Sequence, residues 1–158
     1  VLSFGKVIAN GATNVIPNEV YLEGTFRTFD EKWRMEAHEH MKKMAIGIAE
    51  SMGASCDFEV RGGYPFLVNE EKLTAAARGY AEDYLGKENV VDLDLWLAAE
   101  DFAYYSQVAD ACFYRLGTGN AARGITSAVH TPTFDIDESA LALSTGLMAY
   151  IALRKLGN

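Results

Sequence analysis

One histidine stands where its imidazole could bind a metal ion. His130 lies in the run Val129-His130-Thr131-Pro132, and a neutral imidazole nitrogen binds zinc-like ions well. Pro132 stiffens the backbone that aims the side chain. A lone histidine before a turn is also a common surface or capping residue, and a metal site requires more than one protein ligand. His130 is therefore a candidate ligand whose assignment depends on the rest of the chain.

Three further groups of residues invite a chemical interpretation. The adjacent carboxylates of Glu100 and Asp101 resemble a general acid/base pair or a metal bridge, although acidic residues also favour a helix N-terminus. The run Gly117-Thr118-Gly119 lacks the Lys-Ser/Thr of a phosphate-binding loop. His38 and His40 are two residues apart on a predicted helix, so they point in different directions and cannot chelate one ion together. None of these groups predicts a site by itself.

The composition is that of a folded globular protein. Hydrophobic residues make up 49% of the 158 residues. The net charge of -8, with no cluster of Lys and Arg, argues against a nucleic-acid partner. There is no run of eighteen apolar residues, and we expect a cytoplasmic protein that does not contact a membrane. Cys56 and Cys112 lack Cys-x-x-Cys spacing and are expected to be buried thiols in a reducing compartment.

Hydrophobic periodicity predicts two strands, a helix and a third strand in the first sixty residues. The predicted strands cover residues 1–8, 19–29 and 54–61, and the predicted helix covers residues 31–52. Asp30 is the expected N-cap of the helix. The order resembles most of a ferredoxin-like open-faced sandwich, short of one strand and one helix. We therefore expect the chain to be part of a longer protein.

The run Gly62-Gly63-Tyr64-Pro65 predicts a hinge before a second α/β unit. Asn69 is the expected cap of a helix that ends near Leu85 and is closed by Gly86. The further predicted elements are strands over 90–93 and 111–116, a helical segment over 101–108, and a terminal helix from Asp137 or Ser139 to Leu156. Strands that alternate with helices indicate an α/β (α+β) fold class.

Four short motifs follow one another along the chain. They are Asn14-Val15-Ile16-Pro17, Gly24-Thr25-Phe26-Arg27, Ala99-Glu100-Asp101-Phe102-Ala103-Tyr104-Tyr105 and Val129-His130-Thr131-Pro132. Together they resemble the C-terminal part of the M20 family of metallopeptidases and amidohydrolases. The resemblance is closest to the aminoacylase-like branch, which includes hippurate hydrolases and hydrolases of indole-acetyl amino acids. It depends on the order and spacing of all four motifs, because any one alone would be weak.

The resemblance implies a two-domain organisation and two metal ions. In that family an α/β catalytic domain binds two divalent metals, such as zinc or manganese. A smaller ferredoxin-like lid handles the substrate carboxylate and usually mediates dimerisation. By resemblance, residues 1–62 are the later part of the lid, and residues 63–158 are the C-terminal part of a zinc-peptidase-like catalytic domain. A homodimer formed through the lid is implied as well.

The resemblance also assigns roles to individual residues. It makes His130 the last metal ligand, Asn14 a lid residue that holds the substrate, and Arg27 a carboxylate clamp beside Asn14. The chemistry agrees, because Arg offers a bidentate fork to a carboxylate and an Asn amide donates to a carboxylate or an oxyanion. The alternatives are an Asx turn at Asn14 and a solvated strand position for Arg27.

Glu100 is assigned by resemblance to the wall of the active site, where it would contact the substrate or support a metal ligand. The family's catalytic glutamate pair lies outside this chain, so we expect no catalytic residue in it. The chain has Ala98-Ala99 where most members carry Gly or Ser before this glutamate. That departure alters the conformations open to the loop, because only Gly adopts positive φ freely.

The implied activity is metal-dependent hydrolysis of N-acyl amino acids, or of a short peptide, in the longer protein. We expect these 158 residues alone to be inactive and to bind metal weakly, because they supply one ligand. Two alternatives stay open. One is a carboxypeptidase or dipeptidase of the same superfamily, and the other is a dimerisation or ligand-binding module without chemistry.

Overall fold

Alternating apolar residues at the start of the chain form two antiparallel strands. In the computed structural model, which describes residues 1–157, strand β1 spans Leu2–Ile8 and strand β2 spans Tyr21–Phe26. The register pairs Leu2 with Phe26 at one end of the sheet and Ile8 with Tyr21 at the other. An irregularity in the register lies between Phe4 and Lys6. Both strands were expected from the sequence, each somewhat longer than observed.

The first helix, α1, spans Glu31–Ser51. Asp30 caps it as predicted, since its Oδ1 accepts a hydrogen bond of 2.9 Å from the N–H of Trp33. Ala37 is the buried residue of this helix. Gly53 follows with a φ of 78°, the left-handed conformation that terminates many helices.

Helices α2, α3 and α4 follow further along the chain. They span Glu71–Leu85, Ala103–Ser106 and Ser139–Leu156, and short 3₁₀ turns occur at Lys87–Asn89 and Ala121–Arg123. Helices α2 and α4 pack against each other through Tyr84 and Tyr150, whose ring centroids are 5.3 Å apart. Leu147 of α4 is buried in this region with 2% of its surface exposed. Within residues 1–157, no helix is long and apolar enough to cross a membrane.

The expected cap of α2 is wrong by one residue. Glu70 caps the helix, because its carboxylate accepts from the N–H groups of Lys72 and Leu73. The amide of Asn69 instead donates to the carbonyl of Phe113 at 2.9 Å and accepts from its N–H at 2.7 Å. Asn69 therefore forms its hydrogen bonds with the backbone of a residue 44 positions away and does not cap its own helix.

Three of the predicted strands are wrong. Residues 54–61, 90–93 and 111–116 adopt no strand in the described part of the chain, where the sheet has two strands. Their apolar patterns resemble those of strands, but a strand forms only where a neighbour supplies ladder hydrogen bonds. Cys56 and Cys112, within two of these segments, are free thiols and are half-buried rather than buried.

The described residues pack as two units. Unit 1 comprises residues 1–66 and 95–103, and unit 2 comprises residues 67–94 and residues from 104 onward. The assignment of residues 1–62 to a lid and 63–158 to a catalytic domain stays a prediction, because packing alone does not assign function. The buried apolar residues are few and mostly small: Ala37, Ala77, Ala103, Ala111 and Leu147.

Candidate functional site

His130 lies in an exposed loop of unit 2 and has an unusual backbone conformation. Its φ is 64°, and it is the one non-glycine residue with positive φ among residues 1–157. Histidine tolerates the left-handed region better than most residues do, yet the conformation still costs energy. Within the described part of the chain, its ring forms no hydrogen bond or ion pair. The imidazole is therefore exposed and unpaired there, and its role as a metal ligand stays a prediction.

Short-range hydrogen bonds fix the tip of this loop. The hydroxyls of Ser127 and Thr133 are 2.8 Å apart, and the Thr131 hydroxyl donates to the carbonyl of Ala128 at 2.8 Å. The N–H of Phe134 donates to the Thr131 carbonyl at 3.1 Å. These bonds close the chain on both sides of His130, so the imidazole projects from a braced turn.

A polar cluster ties the base of the same loop. Asp137 is 8% exposed, and its carboxylate accepts hydrogen bonds from the Asn120 amide and from Arg123 Nη1, the latter at 2.9 Å. The Ser139 N–H donates to it at 3.1 Å, and the Asp137 N–H donates to the Thr118 carbonyl at 2.8 Å. The hydrogen bonds from Asn120 and Ser139, together with the charge of Arg123, lower the pKa of Asp137 to about 2.

The lowered pKa gives an expected dependence of loop stability on acid. The native pKa of about 2 is below the ordinary value of 3.8, so the carboxylate stabilises the native loop fully above that value. This contribution is lost as the pH falls through about 2. A carboxyl-carbon NMR titration of Asp137 should show the low native pKa, and an apparent pKa near 3.8 would contradict it. Asp137→Asn should lack this part of the acid dependence.

Asn14 lies in a tight turn of unit 1. Ala12 and Val15 exchange two backbone hydrogen bonds of 3.0 and 3.1 Å around it. Ala9 and residues 11–17 line an open depression at this turn, and Asn14 is exposed there. The Asx-turn alternative is not seen, since the Asn14 side chain makes no hydrogen bond in the described part of the chain. Its amide is free to meet a ligand, and its role in substrate binding stays a prediction.

Arg27 extends the β ladder beyond β2. Its N–H donates to the Val1 carbonyl at 2.8 Å, and the Val1 amine donates to the Arg27 carbonyl at 2.7 Å. Its Nη1 donates to the carbonyl of Leu97 at 2.7 Å. The guanidinium therefore anchors residues 95–103 within unit 1. Its other edge could still receive a carboxylate, and that role stays a prediction.

The expectation that Arg27 lies beside Asn14 stays a prediction, although the two residues flank different ends of the strand pair. Asn14 follows Ile8 and precedes Tyr21, at one end of the two-stranded sheet, whereas Arg27 pairs with Val1 at the other. Six residue steps of about 3.4 Å separate these ends, or about 20 Å.

Glu100, in unit 1, forms hydrogen bonds with the backbone of residues that follow it closely in the sequence. Its Oε1 accepts from the N–H of Phe102 at 3.2 Å, and its carbonyl accepts from the N–H of Ala103 at 3.2 Å. Glu100 is half-buried, and Asp101 beside it is exposed. The geometry therefore agrees with the alternative of an acidic helix N-terminus, and a contact of Glu100 with substrate stays a prediction.

The described residues can supply one ligand of a metal site and not a complete site. No group of three or more His, Cys, Asp or Glu side chains in residues 1–157 could hold an ion. His130 itself fits a ligand role, because its ring is exposed and unpaired on a braced turn. The remaining ligands would have to come from outside the described residues.

The cluster around Asp137 was missed by sequence reasoning, which considered Asp137 only as a helix start. Helix α4 does begin at Ser139 as expected. The nearest sequence signal was Asn120-Ala121-Ala122-Arg123-Gly124, an Asn and a Gly that bracket a short 3₁₀ turn. Nothing in the sequence links that turn to position 137.

Comparison with known proteins identifies the family. The model of peptidase family M20/M25/M40 matches residues 5–154. The chain belongs to this family. The match includes His130 and the other three motifs, so the predicted family is confirmed.

Individual M20 relatives match nearly the whole chain. It is 34% identical to the N-acetylcysteine deacetylase of Bacillus subtilis over 154 residues, which are 97% of this chain and 38% of that protein. It is 32% identical to the IAA-amino acid hydrolase ILR1-like 4 of Arabidopsis thaliana, over 99% of this chain and 36% of that one. The M20 chain thus spans less than two fifths of the length of these relatives.

A solved structure has the same fold. It is the Bacillus subtilis YXEP protein, described as a dinuclear metal binding peptidase from the M20 family. The match has a TM-score of 0.78 and 33% identity, and it covers 100% of this chain and 42% of that one. The predicted α/β fold class is therefore confirmed.

Proposed function

We propose that this M20 chain is part of a metal-dependent amidohydrolase that cleaves N-acyl amino acids into a carboxylic acid and a free amino acid. The observation that carries the proposal is His130, an exposed and unpaired imidazole at the one left-handed non-glycine position of the described chain. An isolated outlier of this kind in a braced loop is typical of functional positions. Two relatives named for the hydrolysis or deacetylation of amino-acid derivatives support the choice of substrate.

The residues of this chain would bind and orient the metal ion and the substrate, and they would not transfer protons. His130 would hold one of two divalent ions, zinc, manganese or similar. Such ions, when bound, lower the pKa of a water molecule and polarise a scissile carbonyl. The amide of Asn14 offers a donor to a substrate oxygen, and the free edge of Arg27 offers a fork to a carboxylate.

A homodimer formed through unit 1 belongs to the same proposal. The two-stranded sheet leaves the outer edges of β1 and β2 unpaired within the described residues. Apolar side chains on these strands are exposed, among them Leu2, Phe4, Val7 and Leu22. Exposed apolar surface beside free strand edges is typical of a protein contact.

A carboxypeptidase or dipeptidase is the second candidate. The solved relative is described as a peptidase, and the two activities differ in substrate rather than in the residues that this chain would contribute. The polar groups of the chain meet a carboxylate equally well in an acyl amino acid and in a peptide.

The test compares substrates and chain lengths. A longer polypeptide that contains this chain should hydrolyse N-acetyl amino acids, should lose activity in a chelator and should regain it with added zinc or manganese. The 158-residue chain alone should show no turnover, because it supplies one ligand. Hydrolysis of dipeptides but not of acyl amino acids would select the second candidate. Robust turnover by the 158 residues alone would contradict the proposal that this chain supplies one metal ligand and that the other ligands lie outside it.

A further inference from the structure

Asp137 joins the two ends of the loop that carries His130. The loop leaves Thr118 and returns at Asp137, where the Asp137 N–H donates to the Thr118 carbonyl at 2.8 Å. On the outgoing side, Asn120 and Ile125 exchange two backbone hydrogen bonds of 2.9 Å, which close a turn that contains Arg123. The carboxylate of Asp137 contacts the side chains of this turn. One residue therefore holds the outgoing and returning segments of the loop together.

The contacts of Asp137 require a carboxylate rather than a polar group of similar shape. Three donors converge on it: the Asn120 amide, Arg123 Nη1 and the Ser139 N–H. An ionised carboxylate is acceptor-only and has room for about four hydrogen bonds. An asparagine at the same position has one acceptor oxygen and an NH₂ group that would face a donor of Asn120 or Arg123. Burial makes such an unsatisfied contact costly, and Asp137 is the one polar residue of the described chain that is buried.

The loop is built as two connected closures. The first is the Asp137 cluster at its base, and the second is the set of bonds at its tip, from Ser127 to Thr133. The left-handed backbone of His130 lies within the second closure. A conformation of this cost persists only where its surroundings over-determine it. The side-chain bonds at the tip are exposed, whereas those at the base centre on the buried Asp137, so the base is the part that can resist opening.

We propose that Asp137 is a positioning residue that holds the loop of His130 in one conformation. The ordering of the loop by Asp137 is independent of the proposed function, whereas its value for holding an ion rests on that function. Outer groups that fix a metal-binding histidine typically change metal affinity by about 10- to 100-fold. Asp137 would act through the backbone at a distance of seven residues, not through the imidazole.

The test uses the 158-residue chain with three single substitutions. Asp137→Asn removes the carboxylate, and Arg123→Gln removes one exposed partner and should leave folding intact. Asp135→Asn is the matched control, because within residues 1–157 the Asp135 carboxylate accepts only from the N–H of Ile136, at 2.8 Å. Amide hydrogen exchange and ¹⁵N order parameters are measured for residues 126–134 and for helix α4, together with the melting temperature.

We expect the wild type and Asp135→Asn to give order parameters near 0.85 in residues 126–134, and Asp137→Asn to give values below about 0.6. Amide exchange in this stretch should become about tenfold faster or more, because charge-assisted hydrogen bonds are lost. Helix α4 should keep its order. Arg123→Gln should change the loop in the same direction by less, and it decides the matter if Asp137→Asn does not fold.

Two results would overturn the proposal. One is an ordered loop in Asp137→Asn or, where that variant does not fold, in Arg123→Gln. The other is a uniform loss of order across α2, α4 and the loop, which would give Asp137 a general role in stability. None of these measurements depends on metal or turnover, so a failed activity assay of the longer polypeptide would leave this proposal standing, and the reverse also holds.

Discussion

Replacing His130 by asparagine is expected to lower kcat/KM of a longer polypeptide containing this chain by about 10³-fold or more. A bound ion contributes several kcal/mol of transition-state stabilisation, and about 4 kcal/mol corresponds to 10³ in rate. Asparagine tolerates the left-handed backbone that His130 adopts, with a φ of 64°. The substitution therefore removes the imidazole while the loop keeps its shape, which alanine would not achieve.

The measurement is kcat/KM on an N-acetyl amino acid together with the metal content of the purified protein. Metal content should fall in His130→Asn, because one ligand of the site is lost. His40→Asn is the matched control, since His40 is exposed on helix α1 and is not proposed as a metal ligand. Wild-type activity with full metal content in His130→Asn would show that this residue is not a ligand.

Replacing Gly24 by valine is expected to open the β1–β2 pair, at a cost of about 3 kcal/mol. A Cβ at position 24 would lie 2.5 Å from the carbonyl oxygen of Ser3 and 2.8 Å from Cδ1 of Phe4. The phenyl ring can rotate, but the carbonyl belongs to the ladder in which Phe4 pairs with Gly24. The clash is thus relieved only by separating the strands. The free-energy cost of that separation exceeds the gain from the strand preference of valine.

The free energy of opening is measured by hydrogen exchange of the amides in β1 and β2. Gly47→Ala is the control in helix α1, where a Cβ would meet no atom within 4 Å. That change should stabilise the helix by about 1 kcal/mol, because glycine is unfavourable in helix interiors. Protected strand amides in Gly24→Val would contradict the close approach of the two strands.

Local signals predicted the helices and the first two strands well. Helix α1 begins after Asp30 and ends before Gly53, because capping and left-handed termination depend on neighbouring residues. Residues 54–61 and 111–116 have equally good apolar patterns and form no strand. A strand depends on a partner elsewhere in the chain, and the pattern of one segment carries no information about that partner.

The same difference between local signals and distant contacts applies to the residues of the candidate site. His130 was found because its neighbours form a motif, and its left-handed backbone could not be foreseen from them. The place of Arg27 on the β ladder could be foreseen, since the predicted second strand covers residues 19–29. The contact of Asp137 with Asn120 and Arg123 could not, because each of these residues is also typical of an ordinary turn or cap.

The left-handed backbone at position 130 also limits which metal-binding side chains suit that position. Among side chains that bind metals, histidine and aspartate adopt positive φ more readily than cysteine and glutamate do. A thiolate would favour soft ions, while imidazole and carboxylate serve ions of intermediate or hard character. The backbone of the loop therefore favours an imidazole or a carboxylate over a thiolate at this one position, whichever ligands complete the site.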